Sequence, residues 1–338
     1  MLNDANKKIP GIILSICVAF IAFYLSNLIS GNIIGATVMA LLVGMALNPV
    51  VKKYNQFESG VSFAGKIFLR AGIILMGVNM NFADVLNVGK YSLFVMIFTM
   101  VTAFGAGNLI GKTFGMNWKL TNLLSVSTAI CGGSAVAAVG PVIKAEDQDI
   151  AYAISSTFIF DILTVVVIPW IGIALGMSNM GYGLWVGTAV NDTSSVVAAG
   201  YAFSDIAGNT AVIVKLTRTL FIIPCVLIFS LINERKEAKL SGINGHVPVN
   251  LKKIFPYFII MFLLIVALQS TNIIPVTLVP ILSKTSKLCM VIALSAIGLK
   301  TSYSDIRRIG FRPMILGFII DTLVVFVSIG VQIATGRF

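Results

Sequence analysis

Ser127-Thr128-Ala129-Ile130-Cys131-Gly132-Gly133-Ser134 and Gly187-Thr188-Ala189-Val190-Asn191-Asp192-Thr193-Ser194-Ser195 are polar strings set inside long apolar runs. Their flanks are long enough to reach into a bilayer. In hydrocarbon, an unpaired backbone or side-chain polar group costs several kcal/mol, so irregular backbone persists at that depth only where it is buried in protein or lines a cavity. The two strings therefore predict broken helices within a membrane and mark the first place to look for a transport site.

The rest of the chain agrees. Of 338 residues, 57% are hydrophobic and only 11% are charged, against roughly 25% charged in a soluble domain. With a mean hydropathy of +0.97, this is the composition of a polytopic membrane protein. The net charge of +11 does not point to nucleic acid, because the basic residues cluster between apolar segments as topology signals do. The four cysteines, Cys17, Cys131, Cys225 and Cys289, all sit in apolar segments without a CxxC pair, so neither a disulfide framework nor a zinc site is expected. His246 is the single histidine and lies in a polar loop. Without a histidine in an apolar segment, or any Walker loop, GxSxG or HExxH motif, the chain reads as no enzyme and needs no cofactor. The N-terminus resembles the start of a signal peptide, but another apolar run follows at once, and it reads as a retained first helix.

A transmembrane helix needs about 20 mostly apolar residues. Eleven candidate segments emerge: 12–29, 33–51, 67–82, 93–110, 120–143, 150–175, 184–203, 211–232, 254–268, 276–299 and 313–335. Segment ten, with Pro280, Lys284 and Lys287, is the weakest. If Lys7 and Lys8 are cytoplasmic, inside loops carry Lys52, Lys53, Lys112, Lys119, Arg235, Lys236, Lys239, Lys252, Lys253, Arg307 and Arg308. Outside loops carry mostly acids: Asp84, Glu146, Asp147, Asp149 and Asp205. This asymmetry predicts an N-terminus in the cytoplasm and a C-terminus outside.

Internal similarity suggests a repeat. The order Phe-Ile-x-Asp-x-Leu-x-Val occurs from Phe158, around Asp161, and again from Phe318, around Asp321. These stretches fall in segments six and eleven, an odd number of crossings apart, which predicts an inverted-topology repeat. That register divides the chain into an added first helix (1–32), a first repeat (33–176, segments two to six) and a second repeat (177–338, segments seven to eleven), with a cytoplasmic linker at 233–253. A second register matches the stretch from Met76 to Asp84 with that from Ile297 to Asp305, pairing segments three and ten.

Several residues could carry chemistry. Thr128, Cys131, Gly132, Gly133 and Ser134 lie mid-way along segment five, and successive glycines weaken a helix by about 1 kcal/mol each. They suggest a break whose exposed amides bind an anion; the alternative is small-residue helix packing. In segment seven, Asn191, Thr193, Ser194 and Ser195 could coordinate substrate, with Asp192 holding a proton or sodium ion; the alternative is an extracellular loop. Lys215 and Arg218 share one helical face and could meet an anion, or Asp192, or simply snorkel. Asp161 and Asp321, each alone in an apolar helix, are candidates for handling a coupling ion. Lys66, Arg70 and Lys287 are possible partners for these acids, though Lys66 and Arg70 read more readily as interfacial anchors.

The strings from Ala129 to Ala135, from Gly187 to Gly200 and from Val214 to Arg218 together resemble the YeiH family of bacterial membrane proteins, described as candidate sulfate exporters. The resemblance covers most of the chain. The family often has His where this sequence has Asn191, so a proton-handling role resting on that His does not carry over. The Cys131-Gly132-Gly133-Ser134 string is similar, more distantly, to the broken helices of bile-acid sodium symporters and related elevator-type carriers. The resemblance implies a multi-pass secondary transporter of the bacterial inner (cytoplasmic) membrane for a small anion such as sulfate, and the elevator analogy implies a homodimer.

The expectation is an all-α transporter in which crossed breaks at segments five and ten, or five and seven, form a midplane site. Helix N-termini, Lys215 and Arg218 would meet the anion, while Asp192, Asp161 and Asp321 would couple a proton or sodium ion. The rivals are a cation/proton antiporter, a symporter for a small organic acid and a channel.

Overall fold

The computed structural model describes residues 2–28, 36–241, 257–301 and 311–336. His246, Lys252, Lys253, Asp305, Arg307 and Arg308 lie outside the described residues. The chain runs through α1 (Leu2–Leu28), α2 (Ala36–Ala46), α3 (Asn48–Lys53), α4 (Glu58–Met76), α5 (Phe82–Thr113), α6 (Trp118–Ala129), α7 (Gly133–Val142) and α8 (Asp147–Ala174). It continues through α9 (Asn179–Ala189), α10 (Thr193–Phe203), α11 (Asp205–Leu220), α12 (Ile222–Ser241), α13 (Tyr257–Ser270), α14 (Val279–Lys300) and α15 (Phe311–Ala334). No strand occurs among the described residues. Among the described residues, eight helical stretches are long and apolar enough to cross a membrane.

Polar residues stand where the chain must turn. Asn81, Asn117, Ser178 and Ser204 cap α5, α6, α9 and α11, each side chain accepting from a backbone N–H in the first turn, a contact worth about 1 kcal/mol. Pro280 sits in the first turn of α14, where its missing N–H is harmless. The proline and lysines that made segment ten look weak thus belong to one continuous helix of 22 residues, and the break expected there is absent. The expected linker is partly helical, because α12 extends to Ser241.

Segments five and seven are not single crossings. At one end of the molecule, Lys119 beside the start of α6 donates to the carbonyl of Lys144 just beyond α7, at 2.6 Å. Asn117 donates to Asp149 at 3.1 Å. The chain has therefore turned back, and α6 and α7 form a re-entrant hairpin. Its arms, 12 and 10 residues long, reach about 15–18 Å, half of a roughly 30 Å hydrocarbon core. A second hairpin consists of α9 and α10: Ser204 donates to Asn179 at 2.7 Å, and Tyr182 stacks on Phe203 with ring centroids 4.0 Å apart.

The hairpins enter from opposite ends. The 28-residue α8, about 42 Å long, starts at the base of the first and ends at the base of the second. Helices α11 and α12 return: Asp205 starts beside the second base, and Lys236 lies 4.0 Å above the ring of Trp118 at the first. The two tips meet in between, where a Cβ on Gly132 would lie 3.6 Å from Asp192.

The helices sort into two layers. Helices α1, α2, α4 and α14 pack on one another, with α13 against α4. Glycines let the backbones touch: Gly44 faces Gly298, and Gly11 faces Gly60. Asn48 of α3 donates to the carbonyl of Leu299 at 2.8 Å. The other layer holds α5, both hairpins, α8, α11, α12 and α15.

Candidate functional site

Each tip is a helix end followed by a helix start. In the first, Ile130-Cys131-Gly132 reverses the chain between α6 and α7. Gly132 adopts φ +65°, ψ −136°, a conformation open essentially to glycine alone. Its N–H bonds to the carbonyl of Ser127 at 2.9 Å, and its carbonyl accepts from Ala135 at 3.1 Å. In the second tip, Asp192 caps α10, its carboxylate accepting from the Ser194 amide at 2.8 Å and from the Ser194 hydroxyl.

Buried charges lock the tips in place. Asp161 on α8 accepts from the backbone N–H groups of Asn191 and Asp192, one carboxylate oxygen to each, both at 3.0 Å. Asp321 on α15 accepts from Thr128 of the first hairpin at 2.5 Å and from Asn191 of the second at 2.9 Å through the same oxygen. Lys215 Nζ donates to the carbonyls of Ile130 at 2.9 Å and Val190 at 3.1 Å, one from each tip. Arg218 donates to the carbonyls of Ala129 and Thr188, each at 2.7 Å. Both basic side chains are fully buried.

A cavity of about 430 Å³ opens on the other side of the tips. One wall holds Gly133 and Ser134, the first turn of α7, together with Asp161 and Asp192, Thr193 and Ser194 at the start of α10. The facing wall is the other layer and contributes Lys66 and Arg70 from α4 and Lys300 from α14. Three basic residues thus face two acidic ones, and Asp161 is further offset by its two amide donors. The first-turn amides of α7 and α10 add positive potential, since a helix leaves its first N–H groups unpaired and its N-terminus carries about half a positive charge.

The predicted residues therefore separate into two groups. Gly133, Ser134, Asp161, Asp192, Thr193 and Ser194 line the cavity. Thr128, Cys131, Gly132, Asn191, Ser195, Lys215, Arg218 and Asp321 lie within or behind the tips, where most of them bind other parts of the protein. Lys215 and Arg218, expected to face an anion, instead donate to helix C-terminal carbonyls. In the sequence, Lys66 and Arg70 read as possible partners of the intramembrane acids and more readily as interfacial anchors, and Lys300 did not stand out as a site residue. Their signal was the four-residue spacing that puts Lys66 and Arg70 on one helical face. Among the described residues, no cluster of His, Cys, Asp and Glu could hold a metal ion.

An all-helical chain with eight apolar helices able to span a bilayer, and with opposed hairpins whose tips are tied by buried charges, is a multi-pass membrane protein. It belongs to the family described as conserved hypothetical protein 698, whose model matches residues 10–317, and so to the family its sequence motifs resemble. A UPF0324 membrane protein of Clostridium tetani is 56% identical over 98% of this chain and 99% of its own length. Another from Streptococcus mutans is 38% identical over 96% and 97%, and one from Fusobacterium nucleatum is 35% identical over 98% and 100%.

Proposed function

We propose that the protein is a secondary transporter that carries a small anion, such as sulfate or a related sulfur oxyanion, across the bacterial cytoplasmic membrane by alternating access. The observation that carries this reading is the cavity, in which Lys66, Arg70 and Lys300 face the N-termini of α7 and α10 across about 430 Å³. That volume suits a small ligand, and discontinuous helices whose N-termini meet anionic groups are a recurrent transporter device. Charge on the ligand would be met by these groups rather than by Lys215 and Arg218.

With the hairpins counted as two non-crossing segments, nine of the eleven segments cross, and the N-terminus remains inside and the C-terminus outside. The 2–6 and 7–11 register pairs a hairpin with the continuous α14, so the alternative register, which matches α4 with α14, fits better. The layer bearing the hairpins would move against the layer bearing α4 and α14 around the bound anion, with Asp192 facing the cavity as the candidate acid for ion coupling.

The test is flux in proteoliposomes. Sulfate, sulfite, thiosulfate or a small carboxylate should be accumulated, and Lys66→Gln with Arg70→Gln should cut the rate about tenfold or more, as loss of charge-assisted contacts does. No flux of any of these under proton or sodium gradients would overturn the anion reading. Asp161 and Asp192 at the same cavity favour a cation/proton antiporter as the second reading, for which Asp192→Asn would abolish sodium–proton exchange while Lys66→Gln left it intact.

A further inference from the structure

Resting on the transporter reading above, we propose that Lys215 and Arg218 are built-in counter-ions. They occupy the position where a carrier of this build would otherwise bind an alkali cation, and they make the meeting of the two hairpins independent of sodium. The four carbonyls they bind, from Ala129, Ile130, Thr188 and Val190, lie at the C-terminal ends of α6 and α9. Each such end carries about half a negative charge, and the two ends converge within the reach of one ammonium group. Half-helix C-terminal carbonyls of this kind coordinate sodium in secondary transporters.

Here two tethered cations fill that role. Both come from α11, three residues apart on one face, and both are fully buried. Two buried basic side chains stand against two buried acidic ones, Asp161 on the second tip and Asp321 between both tips, while the third acid of the tips, Asp192, is partly exposed toward the cavity. A sodium ion added among them would leave an uncompensated buried charge, which is expensive. An anion taken by Lys215 or Arg218 would strip the carbonyls of their donors.

Thermal unfolding of the purified full-length chain in detergent tests this without any transport measurement. The wild-type protein should unfold at the same temperature in sodium chloride and in choline chloride. Lys215→Ala should unfold at a lower temperature in choline and recover by about 2 °C or more in sodium or propylammonium chloride, as a ligand of the folded state requires. Lys215→Met, which fills the space with an uncharged chain, should be destabilised and should not recover. Sodium stabilisation of the wild type would overturn the proposal. So would a Lys215→Ala chain indifferent to both cations, or a Lys215→Met chain that recovers equally. If Lys215→Ala does not fold, the wild-type comparison decides. A failed flux assay would remove the transporter reading and leave this result standing.

Discussion

Gly132 shows how one residue sets the tip. Its backbone conformation is one that a side chain disfavours, while the nearest atoms to an added Cβ are 3.6 Å away, an ordinary contact. The cost of Gly132→Ala is therefore conformational, about 1–3 kcal/mol, and should appear as a lowered unfolding temperature in detergent. Gly133 is helical, and a Cβ there meets Ile154 at 3.4 Å, so Gly133→Ala should be much milder. Equal unfolding temperatures for the two variants would contradict this account. The sequence pointed to the glycine pair; only the backbone path distinguishes the glycine that turns the chain from the one that begins α7. Asp161 was likewise visible as a lone intramembrane acid, but its partners are amides 30 and 31 positions away, a distance that no local pattern encodes.

At the scale of elements, the hairpins are the main departure from the sequence reading. Apolar runs of 24 and 20 residues at 120–143 and 184–203 have the length of a crossing, and hydropathy does not distinguish a span from a chain that reaches half-way and returns. The polar string at the middle of each run was the clue to the fold-back. Labelling separates the two possibilities. In a chain lacking its native cysteines, Glu146→Cys and Met180→Cys place thiols near the bases of the first and second hairpins. A membrane-impermeant maleimide should reach the first only from the cytoplasmic face and the second only from outside. If 120–143 crossed the membrane, both labels would be found on the face opposite to the one expected here. The fold-back also corrects one expectation from the sequence: Glu146 and Asp149, assigned there to an outside loop, lie at the same end of the molecule as Lys119.

At the scale of the whole molecule, two layers share one cavity. Lys66 belongs to the layer of α1, α2, α4 and α14, whereas Ser134 belongs to the layer of the hairpins. If transport requires one layer to move against the other, joining them should stop it. A short bifunctional thiol reagent applied to Lys66→Cys with Ser134→Cys should abolish flux, and a cleavable version should restore it on reduction. Each single variant treated with the same reagent serves as the control, and unaltered flux in the cross-linked pair would exclude relative movement at this interface. The Lys287–Asp205 pair, 2.6 Å apart and exposed, links the layers at the far end but contributes little, as exposed ion pairs do.

The sequence by itself determined that this is a multi-pass helical membrane protein, and it located the irregular strings on which the site is built. Those conclusions follow from solvation, because the energetic demands of hydrocarbon act on each segment separately and leave a local record in composition. The tertiary structure alone decided that the strings fold back, that they meet tip to tip, and which basic residues face the cavity. Lys215, Arg218, Lys66 and Arg70 are indistinguishable as charges along the chain. Burial against four helix C-terminal carbonyls commits the first two to holding the tips, and placement across an open cavity leaves the other two available to a ligand.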